Sequence, residues 1–541
     1  MKDQDKQFTD FAEKITRKFF EFYPMSASSL GIHEYDGIVN EVSEESIRKQ
    51  IEEFGRLLEE LKKIEFGSLS VKNKFEYEIA KWGIESTLFE LTENNSYRKN
   101  PMTYAFMFGD LHYYISRNYA PFEERIKSVV KIIDKIPSIL KSAETLLDKK
   151  LPEIFCRYAK SFSMGYEDFF KSELLNVIKE NVNNISLIDD YIEKSDKAVK
   201  AFEKFVEFVE KASDIKNEDY RTGKDYFEKM LRIKEHVYIP ADELKKLGES
   251  ELSRLQSEMD KILRENDFEG KIETLEHNHP SEETLIEDTN ATLNELTDFI
   301  RQNNIVNLPD KLNCIVTEMP RYMNFGFAAM GSAGPYEKSD ESFYYVNFPD
   351  KTWDDGKREQ WMTQFNYPTL KLISIHEAYP GHYTHFLNSN EKSSKLSNLF
   401  MSYSYVEGWA HYTEEMMIEK GYDKENFKTK IGQLLEALIR CCRYIVSIGI
   451  HCENMTIEEA KNFFMKNAHM AEITALQEAE RGAFDPGYLN YTLGKIFLKK
   501  LKDKYISKFD GIKTEKDFHD KVVSLGSPTY GIAEKYILEE I

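Results

Sequence analysis

No apolar run in the 541-residue chain is long enough to cross a bilayer, and the opening stretch, MKDQDKQFTDFAEKITRKFF, is charged from its second residue. It lacks the apolar core of a secretory signal, so the expectation is a cytoplasmic protein with no membrane partner. Basic residues are also short, 73 against 94 acidic, for a net charge of -21. Such a surface repels phosphate backbones and anionic lipid, which argues against nucleic acid as a partner. With 15 prolines and 25 glycines the chain has few breakers, and order is expected nearly throughout. Cysteine is scarce and odd in number: Cys156, Cys314, Cys441, Cys442 and Cys452 show no metal-knuckle spacing. That excludes a disulfide framework and a thiolate zinc site, and it leaves reduced thiols in packed positions. Neighbours Cys441 and Cys442 cannot share a helix face, so they are not expected to act as a pair.

What is abundant is helical texture. From about residue 5 to 305, amphipathic stretches such as SEESIRKQIEEFGRLLEELKKI (43–64) place apolar residues three and four apart. Breaks fall at GIHEYDG (31–37), SYRKNPMTY (96–104), VYIPADE (237–243) and HNHPSEE (277–283). Residues 313–350 change character, and SFYYVNF (342–348) reads as a strand. We expect it at a sheet edge, where it could pair with an extended peptide. Helices return from 355, including one from about Lys424 to His451 that stops before an apparent capping box, Thr456 with Glu459. The resulting picture is a mainly α protein with a small β-strand element beside the site helix. A working boundary near residue 310 separates an N-terminal helical half, 1–310, from a catalytic half, 311–541.

The chemistry concentrates in LKLISIHEAYPGHYTHFL (370–387), which carries His376, Glu377, His382 and His385; three of the chain's 12 histidines fall within ten residues. A zinc hydrolase needs neutral imidazoles as ligands and an unligated carboxylate beside the metal, and adjacent His and Glu on a helix supply both. His376 and His382, however, stand six apart, whereas a regular helix aligns positions i and i+4. Pro380 cannot donate to the carbonyl of His376, and with Gly381 it permits a local bulge that swings His382 back, as in a HExxH helix with two residues inserted. The competing reading is a polar helix end with exposed histidines.

SYVEGWAHYTEEMM (404–417) weighs against that reading. Val406, Trp409, Thr413 and Met416 form one side of this second helix, and Glu407, His411 and Glu414 the other. Glu407 lies 25 residues after His382, a spacing suited to a third zinc ligand, and His411 one turn on suits a supporting position. For Glu414 a solvated face is the default expectation. Three protein ligands leave an open position for water, and Glu377 would take its proton. The oxyanion formed by attack on a peptide carbonyl needs another donor, for which Tyr488, Tyr491 and His451 are candidates. Glu436, Arg440, Arg443, Ser447 and His451 form a polar stripe on the long helix, which either faces the site or makes a structural ion network. Arg321, Arg440, Arg443, Arg481 and Lys495 are the cations that could hold a substrate carboxylate.

HEAYPGHY, VEGWAHYTEEMM, RYIVSIGIH, AKNFFMKNA and RGAFDPGYLNYTLGKIFLKKL, with the opening YPMSASSLGIHEYDG, resemble in order the motifs of a bacterial and archaeal family, domain of unknown function 885. The resemblance implies a large helical clamshell similar to gluzincin-type peptidases, one Zn2+ per chain on His376, His382 and Glu407, and Glu377 as the catalytic base. Trp409, His411, His451, Arg481, Tyr491 and Lys495 also fall on its motif positions. His385 stands where many members resemble Gln, which makes it a neighbour of the metal. Ser447 stands where many carry Asp. The expected function is a zinc metallopeptidase acting on short peptides, exo or endo. The alternatives are a zinc hydrolase of nonpeptide amides or esters, and a noncatalytic metal-binding helical protein.

Overall fold

The computed structural model describes residues 2–218, 220–320 and 326–539, and within them the chain is almost wholly helical. It gathers into two compact units. One holds the chain up to Tyr220 together with Ala333–Asp340; the other holds most of the remainder from Arg221 onward.

The first unit is built on α1 (Lys2–Phe22), α2 (Glu44–Leu61), α3 (Val71–Phe89), α4 (Phe122–Leu146), α5 (Glu153–Asp168) and α6 (Ile185–Ala212). Helix α2 shows why such sequences become helix. Ser43 caps it by accepting from the Ser46 amide, and Phe54, Leu57 and Leu61 recur on one buried face. Helices α4 and α6 pack together over a core that includes Ile126, Ile133, Ile136, Phe202, Phe205 and Val209.

The second unit begins with α7 (Lys224–Glu235), α8 (Ala241–Glu265) and α9 (Leu285–Gln302). These three lie before residue 310, yet they belong to the unit that holds the helices after the sheet, and that unit starts at Arg221. The physical reason is packing. Gly248 of α8 meets Tyr444 so closely that a Cβ there would lie 2.4 Å from the ring, and Leu285, Leu293, Leu296 and Ile300 of α9 enter the same core as Leu372, Ile375 and Trp409. Burying each such side chain contributes about 1.5–3 kcal/mol.

A three-stranded sheet follows, from β1 (Cys314–Glu318), β2 (Ala328–Gly331) and β3 (Ser342–Val346), in the order β1-β3-β2. Strand β3 runs parallel to β1 and antiparallel to β2, with Tyr344 opposite Val316 and Met330. The SFYYVNF strand is therefore central, its backbone committed on both sides, and it cannot take an extended peptide as an edge strand would. The alternation of buried side chains is as strong in a central strand as in an edge strand, so the pattern did not distinguish them.

The site helices are α10 (Tyr367–Glu377), α11 (His382–Lys392), α12 (Tyr403–Glu419), α13 (Phe427–Glu453), α14 (Ile457–Ala468), α15 (Glu472–Phe484) and α16 (Asn490–Lys508). The capping box before α14 is present, with Thr456 and Glu459 bonded reciprocally. Helices α12 and α16 cross at Gly408 and Gly494, where a Cβ on Gly494 would fall 2.0 Å from the Ser404 carbonyl oxygen. Among the described residues, no helix is long and apolar enough to cross a membrane.

Candidate metal centre

Helix α10 is started by Asn366, whose side chain accepts from the Thr369 amide, and by Pro368 in its first turn. It does not bulge through the motif, as the spacing suggested, but ends at Glu377. Pro380 offers no amide proton, the Tyr379–Pro380 peptide is cis, and α11 starts afresh at His382. Two hydrogen bonds hold the break: the Gly381 amide donates to the Ile375 carbonyl at 2.9 Å, and Trp409 Nε1 on α12 donates to the Pro380 carbonyl at 2.9 Å. A Cβ on Gly381 would lie 1.8 Å from the His376 carbonyl oxygen, so only glycine fits. The turn does what a bulge would have done and brings the His376 and His382 rings to 4.8 Å, nearly perpendicular at 88°.

Glu407 on α12 meets both imidazoles. Its Oε2 stands 3.4 Å from His376 Nε2 and 3.5 Å from His382 Nε2, buried and hydrogen-bonded to neither. The Glu377 carboxylate closes the group: ligating atoms of His376, Glu377 and His382 lie within 4.8 Å of one another, the one such cluster of His, Cys, Asp and Glu among the described residues. Two carboxylates thus face the histidine pair, and Glu407 is the nearer. Glu377 takes no hydrogen bond from a described side chain, and burial pushes its pKa up. Burial also works against the Glu407 charge, but the two histidines outweigh it and hold that carboxyl well below its usual range.

Behind His376 lies Glu414, fully buried. His376 Nδ1 donates to its Oε1 at 2.6 Å, Arg440 Nη2 sits 3.2 Å from the same oxygen, and His411 Nδ1 lies 3.2 Å from Oε2. With Nδ1 committed to Glu414, His376 presents Nε2 toward Glu407. Burial opposes a charge on His376, but Glu407 and Glu414 outweigh it and push its pKa up to about 9. The same carboxylates favour any cation placed between the rings. Two imidazole nitrogens, a carboxylate oxygen and a carboxylate behind one imidazole fit a divalent cation such as zinc.

Tyr491 joins the group: its ring stacks on His376 at 6.4 Å. The guanidinium groups of Arg440, Arg443 and Arg481 lie 5.9, 5.1 and 5.7 Å from the centre of that ring. His411 supports Glu414 as its place on the helix suggested, and its pKa is pushed down to about 4 by burial. His385 is no ligand, for its Nε2 donates to the Gly526 carbonyl at 2.9 Å.

Two candidates go elsewhere. His451 stacks on Phe227, with Nε2 donating to the Gly482 carbonyl and Nδ1 accepting from the Thr222 amide; neither nitrogen is left for an oxyanion. The Tyr488 hydroxyl is buried against Gly482, where a Cβ would lie 2.4 Å from it. Ser447 donates to the Pro486 carbonyl, and Arg321 lies outside the described residues. Glu414 is the residue that sequence reasoning missed, being buried where solvent was expected. Its signal was the spacing of Glu407, His411 and Glu414, four and three residues apart on one face.

Two solved structures share the architecture over nearly the whole of both chains. A candidate lipoprotein of unknown function from Shewanella oneidensis is similar with a TM-score of 0.80 and 24% identity, covering 98% of this chain and 100% of that one. A candidate lipoprotein from Colwellia psychrerythraea is similar with a TM-score of 0.82 and 17% identity, covering 99% and 98%. At these identities the likeness shows the fold alone. Among curated proteins, none matches. The family model described as bacterial protein of unknown function (DUF885) matches residues 24–537, and the chain belongs to that family.

Proposed function

We propose that the chain is a zinc-dependent peptidase, similar in its ligand chemistry to gluzincins, that hydrolyses bonds in short peptides. The observation that carries this reading is Glu407 Oε2, a buried carboxylate oxygen between two imidazole Nε2 atoms and aligned with neither. A simple ion pair would bring one N–H into line with that oxygen, whereas convergence without alignment is what the ligands of a shared cation show. His376, His382 and Glu407 would hold it. The chemistry a divalent cation supplies at such a site is acidification of a water and polarisation of a carbonyl.

The chain's own groups do the rest. Glu377 is close to the cluster, unbonded, and raised in pKa by burial, which suits a base that takes a proton from the attacking water and passes it to the leaving amine. Tyr491 accepts from Arg481 Nη2 at 3.4 Å, and its own proton has no acceptor among the described residues. It is the donor for the oxyanion that develops on the substrate carbonyl. Glu414 keeps His376 in the tautomer that offers Nε2.

The test is a mixed peptide library read by mass spectrometry, with the protein and its Glu377→Gln variant side by side and metal content measured on both. We expect about one zinc per chain in each, cleavage by the first, and loss of at least about a thousandfold in the second. Equal cleavage by both, or full zinc occupancy with no peptide cut, overturns the reading.

A further inference from the structure

We infer that the site selects peptides carrying a free carboxylate close to the scissile bond, held by Arg443 and Arg481; this rests on the peptidase reading. Of the described cations that the sequence offers for a carboxylate, two are already committed. Arg440 gives Nη1 to Glu436 at 2.6 Å and Nη2 to Glu414 at 3.2 Å. Lys495, 1% exposed, is locked between Glu251 at 2.8 Å and Glu415 at 3.1 Å.

Arg443 and Arg481 differ. Arg443 binds Glu478 through Nε and Nη2, both at 2.7 Å. Arg481 binds Asp485 through Nε at 3.3 Å and Nη2 at 3.1 Å, and the same Nη2 reaches the Tyr403 and Tyr491 hydroxyls. In both residues Nη1 has no hydrogen-bond acceptor among the described residues, and in neither is it a buried unpaired atom. The side chains are 13% and 27% exposed. Each carboxylate therefore pins a planar fork while leaving two N–H donors open to solvent, an arrangement suited to a second carboxylate.

Their position fixes the class of substrate. Both guanidinium groups lie against the Tyr491 ring, and that ring lies against His376. One residue of extended chain spans about 3.5 Å, so these contacts in series span at most about three residues. A carboxylate that near the bond is the C-terminus of the leaving fragment, which makes the enzyme a carboxyl-side exopeptidase or dipeptidase. An Asp or Glu side chain has the same chemistry, and the test separates the two.

The probes are N-acetyl-Ala-Ala-Ala as free acid, its C-terminal amide, and N-acetyl-Ala-Glu-Ala amide. Each is titrated calorimetrically into zinc-loaded Glu377→Gln protein and then offered to the unsubstituted protein for cleavage. We expect the free acid to bind at least about tenfold more tightly than either amide. Adding Arg443→Gln or Arg481→Gln should erase the difference, while Arg443→Lys and Arg481→Lys, which keep the charge and the fold but lose the fork, should retain part of it. Equal affinity for acid and amide, or a preference untouched by all four substitutions, overturns the inference. Tight binding of the glutamyl amide overturns the exopeptidase assignment and assigns the pair to an acidic side chain. Cleavage of acid and amide alike sinks the carboxylate site but not the peptidase, whereas acid-selective binding with no cleavage of any probe does the reverse.

Discussion

His376 acts as a ligand only if its proton sits on Nδ1, and Glu414 is the group that keeps it there, at 2.6 Å and out of solvent. Replacing Glu414 with Gln keeps the shape and removes the charge. We expect zinc affinity to fall by about 10–100-fold, measured by competition with a chromophoric chelator, with helical content unchanged; unaltered affinity would remove Glu414 from the site's function. The four residues that converge, His376, Glu377, His382 and Glu407, were legible because few residue types bind a cation and they stood close in sequence. Glu414 was not, since a buried acid and a solvated one look the same until the partners Arg440 and His411 are placed beside it. His451 and Tyr488 failed for the opposite reason. Their chemistry suits an oxyanion, but the Gly482 carbonyl takes His451 Nε2 and the Tyr488 hydroxyl is buried against Gly482, and no residue pattern announces such packing against a backbone.

Among the elements, one break and one close helix crossing near the site are enforced by glycine. In Gly381→Ala the new Cβ would lie 1.8 Å from the His376 carbonyl oxygen, so the turn must open and His382 must move off Glu407. We expect stoichiometric zinc binding to be lost while circular dichroism still reports a helical protein; a variant that binds zinc normally would show that the turn does not set the ligand geometry. Gly494→Ala drives a Cβ to 2.0 Å from the Ser404 carbonyl oxygen. Because α12 and α16 then cannot cross as closely, this variant should lose more than about 3 kcal/mol in urea unfolding or fail to fold. Helices were readable from period and caps, as in the stretch 43–64 and at Thr456. The interruption at Pro380–Gly381 was readable too, but not its form, because a bulge and a full break both begin with the missing amide of proline. The order of the sheet was not readable either: β2 is built of Ala, Met and Gly, which carry no alternation, so its pairing with β3 left no trace.

At the scale of the whole molecule, the division at Tyr220 was hidden because α7, α8 and α9 have the same amphipathic texture as the helices of the first unit, and texture does not say which core a helix enters. Burial of histidines in both units gives the chain a stability profile with two arms. His112 in the first unit, and His385 and His519 in the second, have pKa values pushed down to about 4 by burial. His519 is neutral by geometry as well, Nδ1 donating to the Ile305 carbonyl and Nε2 accepting from the Tyr412 hydroxyl. Unfolded, each would titrate near 6.5, so their contribution is complete above that pH and is lost as pH falls from about 6.5 toward 4. The loss is at most about 1.4 kcal/mol per pH unit for each histidine. His33 runs the other way. Burial lowers its pKa, but Asp36 and Glu337, each at 3.2 Å, outweigh that and push it up to about 9. Its contribution is complete below 6.5 and is lost as pH rises toward 9. Urea midpoints measured from pH 4.5 to 9 should therefore peak near 6.5, with the steeper fall on the acid side, where His411 joins these three and four lowered histidines act against the two raised ones, His33 and His376. His33→Asn should make the alkaline arm shallower and leave the acid arm in place, because His112, His385 and His519 do not depend on it. A midpoint that climbs steadily through pH 8 in the unsubstituted protein would show that the His33 pair with Asp36 and Glu337 is not holding its proton.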